Sequence, residues 1–314
     1  TVRPQVEYTA TRITAELADI TLSTPAGDSV AGKVTADITN HATTPIIAFT
    51  TDINAKLAAI LKPYLPVPTG PLTIASTTQG RLEGDILQIA RASTTINREN
   101  GILLSSVELK QPIQANLKAS TFAATDPAAT AVQVRVGEIP LSWAEPFVAK
   151  SKLAGTLAGG VFDISMRSVD DLTVTTPSPV TLRGVSASLE GKPMVQNLDL
   201  FANFTATKRG ETIAYDLRRV EVKQGETSLA SLNVAGEAKL GQALTATGKG
   251  NLEANVAQLM TQPALAAFAT LNRAQVSVAF DASMAEAMRA QATIIAKNLV
   301  AKQDNRALGD LELK

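Results

Sequence analysis

Apolar and polar residues alternate one by one over most of this chain. Val132, Val134 and Val136 are separated by Gln133 and Arg135. Phe162, Ile164 and Met166 alternate with Asp163, Ser165 and Arg167. Leu198, Leu200, Ala202 and Phe204 alternate with Asp199, Phe201, Asn203 and Thr205, and Val276, Val278 and Phe280 with Ser277, Ala279 and Asp281. A period of two puts one set on an apolar sheet face and the other in water. Turn-forming clusters separate the runs: Pro25 to Gly27, Arg98 to Gly101, Thr176 to Pro179, Lys208 to Gly210 and Gly225 to Thr227. The pattern predicts a mainly β protein of long antiparallel strands.

Three segments leave this alternation and predict short helices kinked or ended by proline. Asp52 to Tyr64 spaces Ile53, Leu57, Ile60 and Leu61 helically before Pro63 and Pro66. Pro140 to Lys150 does so with Leu141, Trp143, Phe147 and Val148 around Pro146, and Asn255 to Phe268 with Val256, Leu259, Met260, Leu265 and Phe268 around Pro263. Such pieces are too short to hold alone, so each is expected to dock, with Trp143 and Phe147 lying against the sheet. A small-residue strand leaves each one, glycine-bearing after the first two: Leu72 to Gly84, Lys152 to Ile164, and Leu271 to Met284. The recurrence reads as one elongated, repeat-built β region with approximate units 1–130, 131–235 and 236–314.

Composition narrows the chemistry. Among 314 residues there are 29 basic and 29 acidic side chains, one histidine and no cysteine. Thiolate, disulfide and cysteine-zinc chemistry are excluded, as are mechanisms that need two histidines. The balanced charge gives no global pull toward nucleic acid, and the basic pairs Lys208-Arg209 and Arg218-Arg219 read as solvated sheet surface. Apolar residues make up 45% of the chain but aromatics only 4%, which suits a thin aliphatic sheet better than a deep aromatic core. No stretch reaches the roughly eighteen apolar residues of a membrane-spanning helix. Thr1 is not an initiator, and Leu308 to Lys314 reads as a strand cut in mid-run, so a longer parent chain is expected.

The segment Leu61 to Pro66 (LKPYLP), then Gly70 and the strand with Gln79 to Gly84 (QGRLEG), resembles the AsmA-like family of bacterial envelope proteins, which includes TamB- and YhdP-type bridges. Lys152 to Ser165 (KLAGTLAGGVFDIS) and Gly250 to Met260 (GNLEANVAQLM) carry the same resemblance. It implies a curved β-groove with an apolar inside that passes lipid tails between two membranes. It further implies a periplasmic place, a role in outer membrane biogenesis, an inner-membrane anchor on a missing amino-terminal helix, and a phospholipid or other acyl lipid as partner. No nucleic acid, cofactor or metal is expected.

No catalytic constellation stands out. Ser29, Ser142 and Ser186 lack a nucleophile-elbow setting and read as strand or turn positions. His41 reads as a solvated loop residue, Asp170-Asp171 as a turn, and Glu83 with Asp85 as chance neighbours on a strand. Gly155, Gly159 and Gly160 are followed by alternation rather than Lys-Ser/Thr and a helix, so they read as sheet glycines and not a phosphate loop. What remains is the apolar face. Phe162, Ile164, Met166, Leu198, Leu200, Phe204, Val276, Val278 and Phe280 are the groove candidates, in a protein expected not to be an enzyme. The alternative is a structural or adhesive extracellular β-protein with the same side chains shut in a dry core.

Overall fold

A computed structural model describes residues 2–61, 67, 69–241, 245–266, 271–285, 288–301 and 307–313. The protein is mainly β, 73% strand and 4% helix, built as a long antiparallel sheet. The chain divides into two compact units. The first holds residues 1–138 and 162–172, the second 139–161 and 173–314.

In the first unit the strands are β1 (Arg3–Tyr8), β2 (Arg12–Ser23), β3 (Ser29–Thr39), β4 (Ile46–Leu57), β5 (Leu72–Glu83), β6 (Ile86–Arg98) and β7 (Leu103–Leu109). Each pairs with the next in sequence. β6 then forks. Its second half, Ser93 to Asn97, pairs with β7, and its first half, Ile86 to Ile89, pairs with β8 (Ile113–Asn116). The hairpin of β8 and β9 (Thr121–Ala124) splays away from β7, which pairs instead with β10 (Val132–Val136). The fork leaves room for a closed cluster. Ala124, Ala131 and Met166 are buried there, with Ile113, Phe122, Val132 and Leu172 packed around them.

The expected helix over Asp52 to Tyr64 does not form in its first half. Ile46–Leu57 is a strand paired along both edges, and 62–66 lie outside the described residues. The spacing between Ile53 and Leu57 suits a strand as well as a helix, because four is a multiple of two. Two ladders, not local propensity, decide between them.

In the second unit β11 (Ile139–Pro140) pairs with β12 (Ser151–Ser168), whose residues from Phe162 onward belong to the first unit. β13 (Asp171–Leu189), β14 (Lys192–Arg209), β15 (Thr212–Gln224), β16 (Thr227–Lys239), β17 (Thr245–Asn255), β18 (Leu271–Met284), β19 (Met288–Ala301) and β20 (Ala307–Leu313) follow. From β14 to β20 each pairs with the next. The turn expected at Thr176 to Pro179 is absent, since these residues lie inside β13. There the Phe204 N–H donates to Thr176 Oγ1 at 2.8 Å, so a hydroxyl accepts a main-chain donor beside proline.

The second and third expected helices are real but short: a 3-10 helix at Leu141–Phe147 containing Pro146, and α1 (Val256–Leu259). One acceptor side chain fastens each non-strand piece. Asp28 accepts from the N–H groups of Ala58, Ala59 and Ile60 at 2.6, 2.8 and 3.2 Å. Glu145 accepts from Leu153 N–H at 2.8 Å and from Lys152 Nζ at 3.4 Å. Gln262 Oε1 accepts from Gln196 N–H at 2.8 Å, while Ala264 N–H reaches the Met194 carbonyl at 3.1 Å. Gln262 is only 4% exposed, and its Nε2 has no partner.

Trp143 is half-buried, but Phe147 is 71% exposed, which corrects the expectation that both dock. Phe147 is the last residue of the 3-10 helix, whose Glu145 is bonded to the Leu153 N–H of β12.

Candidate apolar groove face

Residues directly opposed in an antiparallel ladder share a sheet face, so register alone tells which alternating sets meet. In the second unit Leu200, Val222, Ala230, Ala254, Val276 and Ala296 form one row across β14 to β19. The next row is Ala202, Val220, Leu232, Leu252, Val278 and Ile294. A third is Phe204, Leu217, Val234, Gly250, Phe280 and Ala292. No charged or hydroxyl side chain interrupts these three rows. β20 extends the first two with Leu311 and Leu313.

The ladders therefore bring Leu200, Phe204, Val276, Val278 and Phe280 onto one face, with Leu198 in step two residues before Leu200. Leu198 is buried, and the other five are half-buried. Phe162, Ile164 and Met166 lie in the first unit. Gln133 Nε2 donates to Asp163 Oδ1 at 2.8 Å, which sets Asp163 on one face of β12 and these three on the other. Met166, only 8% exposed, belongs to the closed cluster under the β6 fork and is a core side chain.

Val220, Val222, Leu232, Leu252 and Ile294 are central to the face but were not singled out in the sequence. Their period-two alternation was the available signal. Two bulges in β15 and β16 shift its phase, between Leu217 and Val220 and between Val222 and Lys223, and hide which alternating set faces which.

The opposite face is polar. Lys249 pairs with Asp281 at 2.8 Å, and that partner raises the lysine further above its ordinary value. Glu221 is buried between Arg219 Nη2 at 3.0 Å and Lys223 Nζ at 3.5 Å.

Among the described residues, most side chains of these rows are half-buried rather than buried, so the face is not shut in as a closed core would be. The exposed surface agrees. The chain exposes 19125 Å², whereas compact packing of this mass leaves about 12,500 Å² as one domain or about 15,000 Å² as two.

Glycines on this face are covered by aromatic rings of the adjoining strand. A methyl group at Gly250 would stand 2.8 Å from Phe280 Cζ, and in the first unit one at Gly80 would stand 2.5 Å from Phe49 Cζ. Both rings lie over a neighbour's bare backbone, a substitution of aromatic for missing side chain that strengthens sheets.

The polar candidates gather no site. His41 is half-buried rather than solvated; its ring centroid lies 5.5 Å from that of Tyr8, and its Nε2 is buried without a partner. Asp171 faces Arg167 at 3.9 Å, Glu83 pairs with Arg81 at 2.7 Å, and Ser186 Oγ accepts from Asn197 N–H at 2.9 Å. Among the described residues no group of three or more His, Asp or Glu side chains converges on a possible metal position.

No family model, no curated protein and no solved structure matches this chain.

Proposed function

We propose that the protein is a non-enzymatic lipid carrier of a bacterial envelope, holding acyl chains of a phospholipid or similar lipid along the apolar face of its second unit. The observation that carries this reading is the set of three uninterrupted apolar rows across β14 to β19, most of whose side chains are only half-buried. At the usual strand spacing those six strands give a track of about 24 Å, longer than the roughly 15 Å of one bilayer leaflet's hydrocarbon. A whole acyl tail fits along it.

Energetics favour carriage over capture. Taking a sixteen-carbon tail fully out of water is worth about 13 kcal/mol at about 0.8 kcal/mol per methylene. A face that covers one side recovers roughly half, about 6 kcal/mol, or a factor of about 10⁴ against release into water. Along a row the side chains change only among Leu, Val, Ile, Ala, Phe and Gly, so a tail can shift by one strand without crossing a polar barrier. The resemblance of Lys152 to Ser165 and Gly250 to Met260 to AsmA-like bridges points the same way, toward a periplasmic bridge anchored by a segment outside this sequence.

The test is native mass spectrometry of protein purified without detergent. Bound phospholipid is expected in the wild type and absent from Val278→Asp, with strand circular dichroism unchanged. Lipid-free wild-type protein would overturn the proposal. Unfolding by Val278→Asp would instead favour a structural protein with a closed core.

A further inference from the structure

Exposed large apolar side chains on a soluble surface are ordinary when scattered and informative when gathered. In the second unit five of them stand along one rim of strand ends: Phe147, Val148, Leu189, Met194 and Leu265. The backbone ties them together. Ser151 N–H bonds the Val148 carbonyl, and Glu190 N–H bonds the Lys150 carbonyl, so the end of the 3-10 helix adjoins the β13–β14 hairpin. That hairpin turns through Glu190 and Gly191, bringing Leu189 beside the strand that carries Met194, and Ala264 N–H bonds the Met194 carbonyl. Phe147, the most exposed of the five, follows Pro146, which stiffens the tip that presents it.

The charges on this rim are mixed with the apolar groups in a particular way. Lys150 is bound to Glu190 at 2.6 Å and Lys152 to Glu145 at 3.4 Å, and Lys192 opens β14. Three lysines against two glutamates leave the rim with a small positive excess. Long lysine stems beside an aromatic tip are the arrangement that settles at a lipid–water boundary, the ring among acyl chains and the ammonium groups at phosphate level.

We propose that this rim docks on a phospholipid bilayer surface, with Phe147 and Val148 inserted and Leu189 and Leu265 alongside. The proposal does not depend on the groove. It concerns a rim at the strand ends, not the apolar rows.

Vesicle flotation tests it, with Trp143 as the reporter, the one tryptophan in the chain and four residues from Phe147. Vesicles of phosphatidylglycerol and phosphatidylethanolamine are expected to carry the protein upward and shift Trp143 emission to the blue, and phosphatidylcholine vesicles to do so less. The double variant Phe147→Ser, Val148→Ser, both residues being exposed, is expected to keep its strand signal and bind at least about tenfold more weakly. Leu189→Ser is a second variant on the opposing hairpin and is expected to weaken binding in the same direction. Wild-type protein that stays at the bottom of the gradient would overturn the inference. So would variants that float as well as wild type, or a concentration-dependent dimer that the double variant abolishes, since a second copy would then cover the rim. Lipid found or missing in native mass spectra is a separate readout and bears on the groove alone.

Discussion

The two units build their apolar faces from the same alternation and arrive at different surfaces. In the first unit, Ile13, Ile38, Ile47, Leu82 and Leu87 form an apolar row, as do Leu22, Val30, Ala55, Ile74 and Ile96. Between them, however, Thr51 opposes Thr78 and Ser76 opposes Thr94, the last pair joined at 3.0 Å between hydroxyl oxygens. The second unit has no such band between its rows. The first unit also closes a small core at the β6 fork, around Met166, while most side chains of the second unit's apolar rows are only half-buried. One strand pattern thus yields a divided face with a packed corner in one unit and a continuous, half-buried face in the other. The lesson is that alternation specifies that a face is apolar. The residues opposed across the ladder decide whether it is continuous.

The sharpest way to break this contrast is to place a charge in each unit. Met166→Asp buries an uncompensated carboxylate in the closed cluster and is expected to destabilise the first unit by about 4 kcal/mol or more. Val278→Asp, on the half-buried face, should cost about 1 to 2 kcal/mol, because its carboxylate can still reach water. Denaturant unfolding of both variants measures the difference. Equal losses would mean that the two faces are equally closed.

Glycine replacement comes next. Gly80→Ala drives a methyl into the Phe49 ring of β4 and is expected to cost about 1 to 3 kcal/mol, whereas a methyl at Gly250 first meets the Asn233 main-chain carbonyl of β16, with the Phe280 ring behind it, and is expected to cost more. Equal costs would mean that main chain and ring yield alike. A neutral outcome at Gly80 would mean that its ring is free to move aside.

A gentler change should make the units alike. Thr51→Val with Thr78→Val removes half of the hydroxyl band and is expected to raise the binding of an apolar fluorescent dye to the first unit. Stability should stay within about 1 kcal/mol, since both residues are β-branched. Val278→Thr should lower dye binding in the second unit. Dye titration of the two variants reads both directions, and no change in either would separate dye binding from row continuity.

The smallest expected effect is on the fastenings of the non-strand pieces. The Asp28 carboxyl is held below its ordinary value of 3.8, first by the Ala59 N–H and then by those of Ala58 and Ile60, with burial opposing. The Glu145 carboxyl is held below 4.5, first by the Leu153 N–H and then by Lys152, again against burial. A carboxylate whose folded value is depressed stabilises above its unfolded value and loses that contribution as pH falls through the folded one. Gln262 does not titrate. Between pH 7 and pH 3, amide exchange at Ala58, Ala59 and Leu153 should therefore accelerate relative to that at Gln196. Asp28→Asn and Glu145→Gln should remove the pH dependence. Equal exchange at all four positions would show that these side chains do not hold the pieces.

The sequence by itself determined that the protein is mainly β, four of the five named turn clusters and the alternation that gives the named strands two unlike faces. These follow from local rules, period two and turn residues. It also determined where two of the three non-strand pieces lie, from the helical spacing of their apolar residues. Ladder pairing decided the rest. Ile53 and Leu57 fit a helix or a strand equally well until β3 and β5 flank them. Met166 looks like Val278 in sequence, yet the fork of β6 buries one and leaves the other half-open. Phe147 sits in an apolar pattern, yet it stands exposed at the end of a 3-10 helix whose Glu145 is bonded to β12. Register, bulges and one side-chain bond join residues tens of positions apart, and no local pattern encodes which partner wins.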